Sequence, residues 1–274
     1  MGTEGKYAIV TGAASGMGRC HALELAAKGY NLVLVDINGK GLEEVSREIS
    51  GRKVICIEQD LASENASGMI ASRVRDAGAE VEVLVNNAGM LFVRTVAETD
   101  PEKLRAMMML HCVTPLLLCR EFIPSMTAAG KGYILNISSI TAWMDWPAIG
   151  MYGNTKRFVK GYSRSLRIEC RGTGVSVTTA IFGAVDTKLF GFSEKARKAM
   201  LATGIMIPPE VAVKKAQEAM FQGRRRVFPG ILNKIAVPVL KALPDGFLSF
   251  SLRQARRYLE GCGQAHHNRD RNPR

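Results

Sequence analysis

Ser139, Tyr152 and Lys156 are the residues of this chain whose types and spacing could do chemistry. Tyr152 and Lys156 stand four apart, so a helix would project both from one face, one turn apart. A phenol ordinarily ionises near about 10, and an ammonium held beside it favours the phenolate, which moves a tyrosine towards acid/base work near neutrality. Ser139 could then share a substrate oxygen with the phenol. A tyrosine and a lysine at this spacing are more often plain surface neighbours, so the reading turns on whether a cofactor signature stands upstream.

Such a signature opens the chain. Tyr7 to Val10 is a short apolar run, followed by Thr11-Gly12-Ala13-Ala14-Ser15-Gly16-Met17-Gly18 and a helical stretch from Arg19 to Lys28. In a strand, glycine turn and helix of this kind, Gly12 allows the tight turn and Gly16 lets backbone approach a pyrophosphate. Gly18 lets the helix pack close to the strand, with its N-terminus towards the phosphates. The next strand, Asn31 to Asp36, is apolar from Leu32 to Val35 and ends in a carboxylate. Asp36 there can accept hydrogen bonds from both ribose hydroxyls and repels a 2′-phosphate, and neither Ile37 nor Asn38 supplies an arginine to offset it. NAD is therefore expected rather than NADP. The alternative is that Asp36 only caps the following helix.

The pattern repeats: helix 42–49, strand 54–58, Asp60-Leu61, helix 65–77, strand 81–85 and then Asn86-Asn87-Ala88-Gly89. Alternation of this length predicts an α/β fold, a doubly wound and mostly parallel Rossmann-like sheet with helices on both faces. Ligands of such sheets lie at the carboxyl ends of the strands, where Asp36, Asp60 and Asn86 all fall.

The 274 residues suit one large domain, and the composition, 47% hydrophobic and 23% charged, is that of a globular enzyme. There is no unbroken run of eighteen apolar residues and no secretory pattern ahead of Tyr7, so a cytoplasmic protein is expected. The six cysteines form no Cys-x-x-Cys pair and the four histidines are not spaced for metal; no metal site is expected.

In order and spacing, Thr11-Gly-x-x-x-Gly-x-Gly18, Asp60, Asn86-Asn-Ala-Gly89, Ser139 and Tyr152-x-x-x-Lys156 resemble the classical short-chain dehydrogenase/reductase family, from about Tyr7 to Thr187. The resemblance implies that Thr11, Gly12, Ser15, Gly16, Met17 and Gly18 cradle the cofactor and that Asp60 and Leu61 flank its adenine. It implies that Asn86, Asn87, Ala88 and Gly89 stiffen the sheet beside the cofactor, and that Gly183, Val185 and Thr187 stand by the nicotinamide. Ser139, rather than Ser138, would polarise a substrate carbonyl and Tyr152 would exchange the proton. Lys156 would bind the ribose and lower the tyrosine pKa.

Two positions depart from the family pattern. His111 stands where the family has an asparagine whose backbone carbonyl supports a water-mediated relay. It either preserves that relay, adding a titration near neutrality, or simply packs. Phe182 replaces the proline usually found before Gly183.

The helix 152–171 carries a stripe of Phe158, Tyr162 and Leu166, either core or, as in the family, an oligomer contact. Trp143, Met144 and Trp146, with Phe190, Phe192, Met200, Leu201, Ile205, Met206 and Ile207, form either core or the wall of a pocket for a bulky apolar substrate. Thirteen Lys/Arg against four acids follow position 213, so nine of the twelve net positive charges lie there. A helix 210–222 leads to Arg224-Arg225-Arg226 and a strand-like Val227-Phe228-Pro229. From about 224 to 260 a basic amphipathic extension closes the 1–260 domain, and 261–274 is expected to be a disordered basic tail. The extension is read as a peripheral membrane contact or an oligomer surface, with no specific nucleic-acid motif.

The expectation is an NAD-dependent hydride transfer between nicotinamide and a secondary alcohol or ketone, hydroxysteroid-like or 3-oxoacyl-like, by a homo-oligomer. The alternatives are a non-catalytic NAD sensor or scaffold on the same fold and a membrane-surface acyl-chain or sterol reductase.

Overall fold

The computed structural model describes residues 5–187, 193–230 and 243–250, together with Thr3 and Arg253. The amphipathic run from 231 to 242, the tail after 253, Phe190 and Phe192 lie outside them.

Apolar runs of five to eight residues become the strands of a single sheet. They are β1 (Lys6–Thr11), β2 (Asn31–Asp36), β3 (Val54–Glu58), β4 (Glu80–Asn86), β5 (Gly132–Ser139) and β6 (Val175–Phe182). Between them lie α1 (Gly16–Ala27), α2 (Gly39–Glu48), α3 (Ala66–Asp76), α4 (Pro101–Met108), α5 (Thr114–Ala128) and α6 (Gly150–Glu169). After β6 come β7 (Ala184–Val185), α7 (Glu194–Ala202), β8 (Met206–Ile207), α8 (Pro209–Phe221) and β9 (Arg226–Val227). The large sheet has the order β3-β2-β1-β4-β5-β6-β9 and every pair in it is parallel. The topology reverses on either side of β1 and β4, which opens a crevice at their carboxyl ends.

Successive strand residues point to opposite faces. Ala8 and Val10 thus join Leu25, Leu32, Leu34, Leu42 and Met220 on the side of α1, α2 and α8. Ile9, Val33 and Val35 join Ile70, Leu84, Leu118 and Phe122 on the side of α3, α5 and α6. Each such aliphatic side chain, moved fully out of water, contributes roughly 1.5–3 kcal/mol.

Two elements differ from the sequence reading. α1 begins at Gly16, so the glycine-rich turn is itself the first turn of the helix. The strand read at Val227 to Pro229 begins and ends earlier, as Arg226 and Val227, an edge strand held to Thr179 and Ala180 of β6. The stretch Pro101–Ala128 is long and apolar enough to cross a membrane by composition. In this fold it lies against the sheet, with Met107, Cys112, Leu118, Cys119, Phe122 and Met126 buried.

Candidate active site

The end of β1 and the loop after β4 are stitched together by one threonine. The Thr11 hydroxyl accepts from the N–H groups of Asn87 and Ala88 at 3.0 and 3.1 Å, and Asn87 Nδ2 donates to the Thr11 carbonyl at 2.9 Å. Gly12 turns the chain at φ +66°, which an L side chain resists. A Cβ on Gly18 would lie 1.8 Å from the Gly12 carbonyl oxygen, so only glycine lets α1 start this close to the turn. Ser15 precedes α1 in an extended conformation and its side chain makes no capping bond, leaving the first-turn N–H groups available to an anion.

Asp36 ends β2 with both carboxylate oxygens engaged. Ala14 N–H donates to one at 3.1 Å and Asn38 N–H to the other at 3.0 Å. The cap of α2 is Asn38, whose side chain accepts from Gly41 N–H, so Asp36 does not serve as that cap.

Ser139 is the last residue of β5, and its hydroxyl accepts from Thr141 N–H at 3.2 Å, starting the tight turn 140–143. Ser138 spends its hydroxyl on the Lys156 carbonyl at 2.8 Å, which separates the two serines by structure as well as by spacing. α6 presents Tyr152 and Lys156 inward, 7% and 5% exposed. Lys156 Nζ donates to the Ile137 carbonyl at 3.1 Å and lies 5.6 Å from the centre of the Tyr152 ring. A buried ladder anchors this helix to the sheet. Asn86 donates to Asn136 at 2.8 Å, Asn136 to Ser163 at 2.9 Å and Ser163 to the Val159 carbonyl at 2.6 Å.

Burial governs both ionisations. It pushes the Tyr152 phenol up to about 12, opposed by a hydrogen bond with Ser139, and pushes Lys156 down to about 8. The tyrosine thus moves opposite to the direction expected from its lysine neighbour, because removing a phenolate from water outweighs a cation 5.6 Å from the ring.

His111 lies in a π-helical turn, Met109–Val113, between α4 and α5. Pro115, four residues on, has no N–H to give the His111 carbonyl, and the helical ladder slips there. The ring is 1% exposed and packs edge-on to Tyr152, with centroids 5.7 Å apart. Its Nε2 accepts from Met90 N–H at 2.9 Å. Its Nδ1 lies 2.9 Å from Thr155 Oγ1, whose own hydrogen goes to the Tyr152 carbonyl at 2.7 Å. The ring is therefore neutral with its proton on Nδ1. Burial first, and Lys156 second, hold its pKa well below the usual histidine range. The expected titration near neutrality is thus corrected: an imidazolium would set a second proton against the Met90 N–H.

These groups border a cleft of about 880 Å³ lined by Gly12, Ser15, Gly16, Met17, Asp36, Asn87, Ala88, Gly89, Tyr152, Lys156 and Thr187, all of which the sequence nominated. Ser139 and His111 touch it through Tyr152. Thr11, Gly18, Gly183 and Val185 shape its backbone without lining it; Val185 is buried and pairs with Ile207. Asp60 and Leu61 stand beyond its rim, Asp60 accepting from Ala62 N–H at 2.8 Å and the Leu61 carbonyl accepting from Thr114 at 2.8 Å.

The cleft is also lined by Ile137, Asp186, Met206 and Arg197, and of these only Met206 was nominated. Arg197 reaches back from α7 to Asp186 at 2.6 Å. Its sequence signal is weak, one of three cations (Lys195, Arg197, Lys198) after Ser193, whose side chain caps α7. Trp143 is not a cleft wall: it stacks on Phe228 at 5.7 Å with Lys160 over its ring at 4.3 Å. Trp146 meets Phe247 edge-on, and Ile205 is 51% exposed.

A parallel sheet with this crevice, a glycine turn feeding an uncapped helix and a buried Ser-Tyr-Lys group defines a dinucleotide-binding α/β oxidoreductase architecture. Residues 6–198 match the family described as short chain dehydrogenase, and the chain belongs to that family. It is 31% identical over 190 residues to human 17-beta-hydroxysteroid dehydrogenase type 3, covering 68% of this chain and 61% of that protein. It is 32% identical over 249 residues to the very-long-chain 3-oxoacyl-CoA reductase of Bos taurus, covering 88% and 76%. The chain spans about three fifths of the length of several of the curated relatives it matches. Among solved structures, one described under 7beta-hydroxysteroid dehydrogenase stereoselectivity superposes with a TM-score of 0.81 at 25% identity, covering 90% of this chain and 97% of the other.

Proposed function

We propose that this protein transfers a hydride between a nicotinamide dinucleotide and a secondary alcohol or ketone on a bulky apolar molecule. The observation that carries the reading is the convergence of Ser139, Tyr152 and Lys156 on a cleft whose far end is the glycine turn and the N-terminus of α1. The residues present fit such a cofactor. The first-turn N–H groups suit its diphosphate, a Cβ at Gly12 or Gly18 would obstruct the turn, and Asp36 at the end of β2 suits the ribose. The nicotinamide supplies the hydride chemistry when bound.

The chain supplies position and a proton. Tyr152, held protonated by burial, donates to the oxygen of a carbonyl undergoing reduction, and Ser139 steadies that oxygen beside it. Lys156, fastened to Ile137, binds the nicotinamide ribose and supports the phenol electrostatically. Asp36, with no adjacent arginine, selects NAD over NADP. His111 positions Tyr152 through Thr155. Met206 brings an apolar side chain to the cleft, and two kinds of relative, named for hydroxysteroids and for very-long-chain 3-oxoacyl-CoA, support a large apolar partner.

The test is oxidation with NAD+ and NADP+, and reduction with NADH and NADPH, of a graded panel of alcohols and ketones from small polyols to hydroxysteroids and 3-oxoacyl thioesters. Turnover confined to the bulky members, faster with NADH, is the expected result. Cofactor binding without turnover on any member would return the protein to the sensor or scaffold reading.

A further inference from the structure

The opposite end of the same helix carries a second collection of charge that hydride transfer does not use. Lys160, Arg164, Arg167 and Arg171 follow one another at i, i+4, i+7 and i+11, so they lie in one stripe along α6 and its C-terminal turn. Arg225 comes to this stripe from the α8–β9 turn and Arg226 from the start of β9. They bound two adjoining recesses, one of about 470 Å³ lined by Arg164, Arg167, Arg171 and Arg225, the other of about 200 Å³ lined by Lys160, Arg164, Arg225 and Arg226. The larger recess includes Val175 and Ser176 at the start of β6, whereas the nucleotide cleft lies past its end. Seven residues of strand, roughly 23 Å at about 3.3 Å each, separate the two.

Several arginines elsewhere sit beside carboxylates: Arg19 with Glu48, Arg47 with Glu43, Arg105 with Glu102, Arg157 with Asp145. Among the described residues no carboxylate pairs with Arg164, Arg171, Arg225 or Arg226. Glu169, the nearest acid in sequence, is turned about 140° round the helix from Arg164 at 100° per residue. Arg226 pays for its surroundings, its pKa lowered by burial first and then by Arg225 and Arg164. Arg167 is accounted for otherwise: it donates to the Val177 carbonyl at 3.1 Å and the Gly223 carbonyl at 2.8 Å, clamping α6 to the sheet edge. The α6 dipole accounts for a cation at Arg171. Neither reason covers Arg164 in the body of the helix, or Arg225 and Arg226 on another element. Ser176 borders the larger recess, and its hydroxyl is buried beneath the surface without a hydrogen-bond partner. Like charges gathered in a concave site, beside an unused hydroxyl, are relieved by a bound anion.

We propose that this arginine recess binds an anion bearing two or more phosphoryl groups, at a site separate from the nucleotide cleft. Guanidinium forks match phosphoryl oxygens in pairs, and two recesses sharing Arg164 and Arg225 suit a ligand longer than one phosphate. The phosphoryl groups come from a free polyphosphate compound or from a lipid headgroup, and the test separates these sources.

Inorganic pyrophosphate is titrated calorimetrically into the full chain in saturating NADH, so that the α1 N-terminus is not the site observed. In parallel the chain is sedimented with phosphatidylcholine vesicles with and without phosphatidic acid. The expected result is saturable binding that weakens at least about tenfold in Arg164→Gln/Arg225→Gln, with NADH affinity unchanged. Pyrophosphate binding without sedimentation identifies a soluble ligand; sedimentation that needs phosphatidic acid and is lost in the variant identifies a headgroup. The variant without ligand should melt no lower than the parent at low salt, because it has lost repulsion rather than a partner. Binding that the variant retains in full, or no response to either probe, overturns the proposal.

Discussion

The two ends of α6 solve opposite electrostatic problems. At its start, Tyr152 and Lys156 are buried, and desolvation is the first cause of both shifted ionisations. Three polar neighbours there have defined partners: Lys156 on Ile137, Thr155 on Tyr152, Ser138 on Lys156. At its far end the cations are exposed, and for Arg226 neighbouring arginines add to the cost of burial. One end is preorganised by hydrogen bonds; the other is held by the clamp of Arg167, with Arg164, Arg171, Arg225 and Arg226 in no ion pair among the described residues. A site that moves a proton needs the first arrangement, and one that gathers an anion needs the second.

Substitutions can break this contrast in order of expected effect. Tyr152→Phe should lower turnover by on the order of 10² or more while leaving NADH binding in place, as steady-state rates and a fluorescence titration would show. A near-parental rate would remove Tyr152 from the proton step.

Lys156→Met should weaken nucleotide binding by about tenfold or more, the scale of a lost charge-assisted hydrogen bond. The sign with pH follows from its lowered pKa: the charge is present below about 8 and is lost above it. Nucleotide affinity should therefore fall as pH rises through 8 in the parent and stay flat in the variant. The same shift means that the folded chain sheds this proton before the unfolded chain does, so the stability cost of burying the charged lysine is relieved as pH climbs from about 8 towards 10.5.

Thr155→Val leaves the buried Nδ1 proton of His111 without an acceptor, at a cost of roughly 1–3 kcal/mol in denaturant unfolding. A change of only a few tenths would mean that the ring is not held in this tautomer. The smallest effect is expected at Ala148, just ahead of α6, which sits at φ +66° with its carbonyl accepting from Arg94 N–H at 2.9 Å. Ala148→Gly should raise stability by about 0.5–1 kcal/mol, because glycine adopts that conformation without strain.

Much of the nucleotide end was legible because its requirements are local. Gly12, Gly16 and Gly18 answer to one turn, Asp36 to one strand end, and the Tyr152–Lys156 spacing to one helical turn. What escaped was whatever depends on elements distant in the chain meeting. Trp143 and Met206 look alike in sequence as apolar residues after a strand, yet one stacks on Phe228 and the other lines the cleft. Arg197 came into the cleft only because α7 folds back to Asp186. For His111 the sequence left titration and plain packing open, and the Met90 N–H and Thr155 hydroxyl that hold it neutral lie 21 and 44 residues away.

By itself, then, the order of residues determined the alternating strands and helices and the parallel class of sheet, and it singled out the candidates for proton handling, since periodicity and short-range spacing carry the first two and the spacing of Tyr152 and Lys156 points to the third. Tertiary structure alone decided the ionisation of those side chains, the neutral tautomer of His111, the distinct duties of Ser138 and Ser139, and the meeting of Arg164 with Arg225. The physical reason is common to all of these: desolvation, hydrogen-bond partnership and charge repulsion depend on distance in space, which the chain acquires only when α6 is laid across the sheet.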